Sequence, residues 1–279
     1  MNRQFDIIVV GDSVDGNRLL TSIAGASKKI KIAFISRDFK STTTRDFLNV
    51  EYIKDTVVFT DYKNRLFGCY LQSGIRHFCT HLIVATGLSY APFYVGAKKV
   101  DGVLNTVNEI PKAVKSQAAI VVGSTETEAR LALSVAKKYK YVYFCIPTME
   151  LGIKDATRKK LEAAENLLML PNSVLLKVNK TDGSILEVTL SNYAKITCNA
   201  IFAVTTPTAE TEFVSEKLFS KEPSGYLETS IELESTLVPK CYAVGTCVKK
   251  YTRKHIKVLT ETILNDFIGG YYDQSRTKE

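Results

Sequence analysis

The chain has 279 residues, 45% of them hydrophobic and 24% charged, a balance that fits a folded globular protein and excludes a disordered or fibrous one. No apolar run approaches the length that crosses a bilayer, and Asp6 breaks into the first one, so a cytoplasmic protein without membrane association is expected. The 6 cysteines include no C-x-x-C pair, which predicts reduced, buried thiols, and the formal charge of +8 admits an acidic partner.

In chain order, the apolar run Ile7–Val10 predicts a strand that stops at Gly11, and Leu19, Leu20, Ile23 and Ala24 follow at helical spacing before a second strand, Ile30–Ile35. Strand, tight turn, helix and strand form the mononucleotide-binding half of a Rossmann fold, in which a glycine turn and a helix N-terminus meet a phosphate. Of the G-x-G-x-x-G pattern, Gly11 and Gly16 are present and Ser13 stands at the middle position. Arg37 and Asp38 follow the second strand, where such folds bind ribose or phosphate.

The segments Glu51–Thr60 and Arg65–Leu71 read as strands around a turn at Asp61–Asn64, with Ile75–Phe78 as a third. A further strand, beginning at His81, ends in Ala85-Thr86-Gly87. A second strand–turn–helix–strand unit follows: Ala118–Gly123, a turn containing Thr125, a helix over Ala129–Lys138 and a strand over Tyr141–Cys145. Glu126 and Glu128 place negative charge at its turn. Lys154–Leu168 is predicted as a charged helix, Val174–Val178 and Ile185–Leu190 as strands, and Ile201–Val204 as a buried strand. The last segment contains a strand and turn ending in Gly245-Thr246. A helix is then predicted with Lys249, Lys250, Arg253, Lys254 and Lys257 on one face, opposite Ile256, Leu259, Ile263 and Phe267.

The Ala85-Thr86-Gly87 strand end, the proline loop at Pro92, the second glycine turn and the closing Gly245 turn together resemble the pyridine nucleotide-disulfide oxidoreductases, and among them the short bacterial thioredoxin reductases. The resemblance implies an α/β protein of two Rossmann-like (FAD/NAD(P)-binding) three-layer domains, the second inserted in the first. The first domain would comprise residues 1–104 and 208–279, and the second residues 105–207. It further implies FAD binding through Gly11, Ser13, Gly16, Arg37, Thr86, Gly87, Gly245 and Thr246, a nucleotide turn at Gly123 and Thr125, and a homodimer. Thr246 replaces the family's cofactor-contacting aspartate, and the residues from Asn105 to Gln117 lack the redox C-x-x-C. With Glu126 and Glu128 at the second turn and no arginine in Ile146–Glu150, an intact NAD(P)H site is not expected.

Three functions of different class follow. The first is a flavoprotein oxidoreductase without an active-site disulfide, its basic last segment serving an acidic electron-transfer protein, as the resemblance suggests for members lacking the cysteine pair. The second is a pseudoenzyme that keeps the fold as a protein-interaction scaffold. The third, nucleic-acid association, rests only on the basic face, which no aromatic stacking platform accompanies. No metal site is expected, because His77, His81 and His255 lack ligand spacing; His77 and His81 are read as surface or interface residues. Cys241 is expected to be packed and Cys247 exposed.

Overall fold

The computed structural model describes residues 2–39, 47–109, 117–181, 185–249, 251–252 and 254–276. In chain order its first elements are β1 (Arg3–Val10), α1 (Val14–Ala26), β2 (Ile32–Ser36), β3 (Val50–Lys54), β4 (Val57–Lys63), β5 (Leu66–Leu71), β6 (Arg76–Val84) and β7 (Leu88–Tyr90). There follow β8 (Tyr94–Val95), β9 (Lys98–Lys99), β10 (Ala118–Val122), α2 (Glu126–Ala136), β11 (Tyr141–Ile146), α3 (Asp155–Glu162) and β12 (Leu167–Pro171). The remainder is β13 (Leu175–Lys180), β14 (Leu186–Leu190), β15 (Lys195–Cys198), β16 (Ala200–Ala203), β17 (Pro207–Ala209), β18 (Cys241–Ala243) and α4 (His255–Arg276).

The chain divides into two units, residues 1–89 with 207–279, and residues 90–206. Residues 90–104, placed with the first domain by the sequence reading, belong to the second unit. Val95 is buried in that unit's core, Phe93, Val100 and Val103 pack against it, and Leu104 bridges to Phe202.

In the first unit a seven-stranded sheet runs in the order β3-β2-β1-β6-β5-β4, with β18 also on β6. The strands β3, β2, β1, β6 and β18 are parallel, whereas β5 and β4 are antiparallel. Parallel strands covered on both faces are apolar throughout, and Ile7, Ile8 and Val9 are fully buried. Helix α4 packs on α1 and buries Leu259 and Ile263 in the same core. The long strand β6 joins two predicted strands into one, its first half pairing β5 and its last residues β18.

Two predicted features move here. Glu51–Thr60 is two strands, because the backbone breaks at Asp55, whose carboxylate accepts the Thr56 N–H at 2.7 Å, leaving β3 in the parallel sheet and β4 in the hairpin. The hairpin turns at Asn64 and Arg65, with φ of 52° and 62°, the left-handed pair that a two-residue turn requires, rather than at Asp61–Asn64.

In the second unit the four-stranded parallel sheet β12-β11-β10-β16 carries α2 and α3 in one core, while a separate cluster joins it to the antiparallel β13-β14-β15. Helices, sheet and meander make three layers. The predicted helix over Lys154–Leu168 stops at Glu162, and Leu167–Pro171 is instead the edge strand β12, paired to β11. Residues 182–184, between the predicted strands Val174–Val178 and Ile185–Leu190, lie outside the described residues, as do residues 40–46. No helix among the described residues is long and apolar enough to cross a membrane.

Candidate functional site

The site sits where β1 ends. Gly11 has φ of 100°, and a Cβ there would lie 2.6 Å from the Ala85 carbonyl oxygen, so the turn passes this close to the end of β6 only because the residue is glycine. Gly16 has the companion role, since a Cβ on it would stand 2.6 Å from that of Ala85 and would push α1 off the sheet. Ser13 works as the N-cap of α1: its Oγ accepts the Gly16 N–H at 3.0 Å. Val14 and Asp15 open α1, at the positive end of its dipole.

Gly87 (φ 80°) and Gly245 (φ 82°) close on this turn. A Cβ on Gly245 would lie 3.5 Å from Ser13 Oγ, and one on Gly87 would lie 3.5 Å from Thr246 Oγ1. Thr86 Oγ1 donates to the Glu210 carbonyl at 2.7 Å, tying the end of β6 to the returning chain. The structure thus brings Gly11, Ser13, Gly16, Thr86, Gly87, Gly245 and Thr246 together at one corner. A cleft of about 700 Å³ runs from Gly11, Ser13 and Thr86 past Arg37. The helix expected directly after Gly245 is absent there; a short 3₁₀ turn, Gly245–Cys247, follows instead, and α4 starts at His255.

The cleft is lined mainly by acids among its charged groups. Asp12, Asp38, Asp55, Glu210 and Glu212 face it with Arg37, whose guanidinium lies 3.7 Å from the Glu210 carboxylate. Asp12 also accepts a hydrogen bond from the buried Asn17 amide. Asp12 was legible within the glycine turn. Glu210, Glu212 and Phe213 were not, because they arrive from the far end of the chain, where the Thr60 N–H and Oγ1 bond the Phe213 carbonyl at 3.0 and 3.2 Å.

At the second glycine corner Gly123 has φ of 153° and Thr125 caps α2. Glu128 completes a capping box, its carboxylate accepting the Thr125 N–H at 2.9 Å and also the Thr125 hydroxyl. Glu126 is held by Arg130 at 2.7 Å, by the Lys154 N–H at 3.1 Å and by Thr157 at 2.8 Å, which together keep its carboxyl down at about 2.

All six cysteines are buried and unpaired, including Cys247, which is fully buried rather than exposed. Burial pushes the Cys247 thiol up to about 11 and that of Cys241 well above its ordinary range. Neither is a nucleophile at neutral pH. His77 and His81 are buried instead of lying at the surface, the His81 ring lying tilted against that of Phe267 with 4.6 Å between centroids and bonding Asp266 at 3.3 Å. Among the described residues no cluster of three or more ligating side chains could hold a metal.

Among the described residues the basic stripe does not form a helical face. Lys249 and Lys254 precede α4, only Lys257 lies within it, and Lys250 and Arg253 lie outside the described residues. Lys249 pairs with Glu222 at 2.8 Å and Lys257 with Glu261 at 4.0 Å.

No curated protein matches the sequence. Among solved structures the chain is similar to the thioredoxin reductase of Lactococcus lactis, with 15% identity, 94% of this chain and 98% of that one covered, and a TM-score of 0.64. It is similar also to T. acidophilum thioredoxin reductase (13%, 95% and 99%, 0.64) and to HlmI (16%, 99% and 98%, 0.65). These likenesses establish the fold. The family model for pyridine nucleotide-disulphide oxidoreductases matches residues 64–245, well over half of the chain. The chain therefore belongs to the pyridine nucleotide-disulphide oxidoreductases, with the two Rossmann-like units of a thioredoxin-reductase-like flavoprotein, and the cofactor its membership implies is FAD.

Proposed function

We propose that the protein is an FAD-dependent oxidoreductase that works without an active-site disulfide and passes electrons to a protein or small-molecule acceptor. One observation carries the reading: the first-unit corner keeps the glycine-made closeness of a dinucleotide turn at Gly11 and Gly16 and opens into a cleft of about 700 Å³.

The residues fit the cofactor in shape and in donors. The N-terminal end of α1 at Val14 would face the pyrophosphate, the exposed Thr246 hydroxyl supplies one donor or acceptor in place of the family's aspartate, and Arg37 is the cationic group along the cleft. Bound flavin would supply the capacity to take up and release electrons singly or in pairs. The chain's own residues position and restrain. Ser13 fixes the first turn of α1, the Thr86 bond to Glu210 holds the cleft wall, and the acids that line the cleft disfavour dense negative charge. The absence of a C-x-x-C, together with the six buried thiols, argues against a cysteine relay.

The acceptor we infer is an acidic electron-transfer protein, supported by the formal charge of +8 and by the cations Lys249, Lys250, Arg253, Lys254 and Lys257, which follow one another closely in sequence. The purified protein is expected to be yellow, with flavin absorbance in the visible. A colourless protein that takes up no added FAD overturns the reading. A second reading, a scaffold without catalysis, draws on Asp12 and Asp15 standing at the helix terminus where a phosphate is expected. FAD affinity in the micromolar range or tighter removes it.

A further inference from the structure

The second glycine corner has the backbone of a nucleotide-binding turn and a different occupant. Gly123 adopts φ of 153°, a backbone conformation that residues with side chains rarely take. The space above its Cα is filled from within: a Cβ built on Gly123 would lie 2.5 Å from Glu128 Cβ and 2.8 Å from Glu128 Cδ. The Glu128 side chain folds back over the turn and presents its carboxylate to the Thr125 N–H at 2.9 Å and to the Thr125 hydroxyl. Those are the donors, at the positive end of α2, that a bound phosphate oxygen would use.

A second set of contacts shuts the corner from the side. The Gly152 N–H donates to the Ser124 carbonyl at 3.0 Å, and Thr125 bridges to Gly152, so the loop after β11 lies across the turn. Glu126 fastens that loop through the Lys154 N–H and Thr157 hydroxyl. A dinucleotide entering here would have to displace a carboxylate that already holds the donors, open the Gly152 bridge, and meet the charges of Glu126 and Glu128.

We infer that Glu128 acts as an internal phosphate substitute, closing the inserted unit to NAD(P)H and to any other pyrophosphate-linked nucleotide. The second unit is then a structural domain with a self-satisfied helix terminus and no open nucleotide corner. The inference concerns the second unit alone, so it stands or falls separately from flavin binding in the first.

Calorimetric titration of the full chain with NADPH and NADH tests it. The wild type is expected to show no saturation up to about 1 mM. Glu128→Ala is expected to gain at least about tenfold in nucleotide affinity, and its thermal midpoint should rise when inorganic pyrophosphate is added, a response the wild type lacks. Glu128→Gln, which keeps an acceptor oxygen over the turn, should stay closed. Micromolar binding by the wild type, or a Glu128→Ala protein as indifferent to nucleotide and pyrophosphate as the parent, overturns the inference. Should the alanine variant fail to fold, Glu128→Ser, whose side chain is too short to reach the Thr125 N–H, takes its place with the same expected gain, and a serine variant indifferent to nucleotide and pyrophosphate also overturns the inference.

Discussion

Ser13 and Asp12 show how much one side chain alters a cofactor corner whose backbone is kept. Ser13 satisfies the Gly16 N–H with its own hydroxyl at 3.0 Å, a stabilising cap that a glycine lacks, and so takes one donor from the set a pyrophosphate would meet. Asp12 adds a carboxylate to the cleft wall beside that turn. Like charges a few ångströms apart repel by about 1 kcal/mol even when fully solvated, so Asp12→Asn is expected to bind FAD at least roughly fivefold more tightly. The gap between the two proteins should narrow as salt is raised, because screening removes the repulsion in the parent. Fluorescence titration with FAD at low and high salt checks both, and equal affinities at low salt would remove the electrostatic account.

The start of α2 has a pH dependence with a definite sign. The Arg130 hydrogen bond first, then the Lys154 N–H and Thr157 hydroxyl, hold the folded-state carboxyl of Glu126 at about 2, against an ordinary value of 4.5. A folded-state value below the unfolded one means that the stabilisation is fully present above about 4.5, where both forms are ionised, and is lost as pH falls towards 2. Glu126→Gln should therefore flatten the fall in the second unit's thermal midpoint between those limits and change its slope little at neutral pH. Circular dichroism melts across the acid range give the comparison; parallel curves for the two proteins would show that Glu126 is not the source. The basic segment before α4 teaches a related lesson about elements. Its spacing matches a helical face in sequence, yet the helix begins at His255, after a 3₁₀ turn and an extended Val248, so a periodicity of charges did not mark where the helix starts.

At the scale of the whole molecule the two units have separate cores, one built on β1, β2, β6, α1 and α4 and the other on the sheet β12-β11-β10-β16 with its two flanking layers. Units with their own cores respond separately to ligands that bind only one of them. Scanning calorimetry is expected to resolve two transitions, FAD raising one alone, and Glu128 substitutions moving the other alone. A single transition shifted by both perturbations would contradict this independence.

The sequence by itself determined the parallel cores and the two strand–turn–helix units, because buried strands and the apolar face of α2 follow from local hydrophobic pattern, and Gly11 and Gly16 follow from a spacing that only close backbone approach explains. Tertiary structure alone decided what fills each corner. Glu128 could be read from the sequence as negative charge at a turn, but only its fold-back onto Gly123 and Thr125 shows it standing as an acceptor in the phosphate's place. The acids at Glu210 and Glu212 belong to the cleft only because the returning chain pairs with Thr60, and the burial of Cys247, His77 and His81 likewise comes from contacts between segments far apart in sequence. Local pattern fixes which faces must leave water. Which charged side chain then meets which helix terminus depends on how distant segments are brought together.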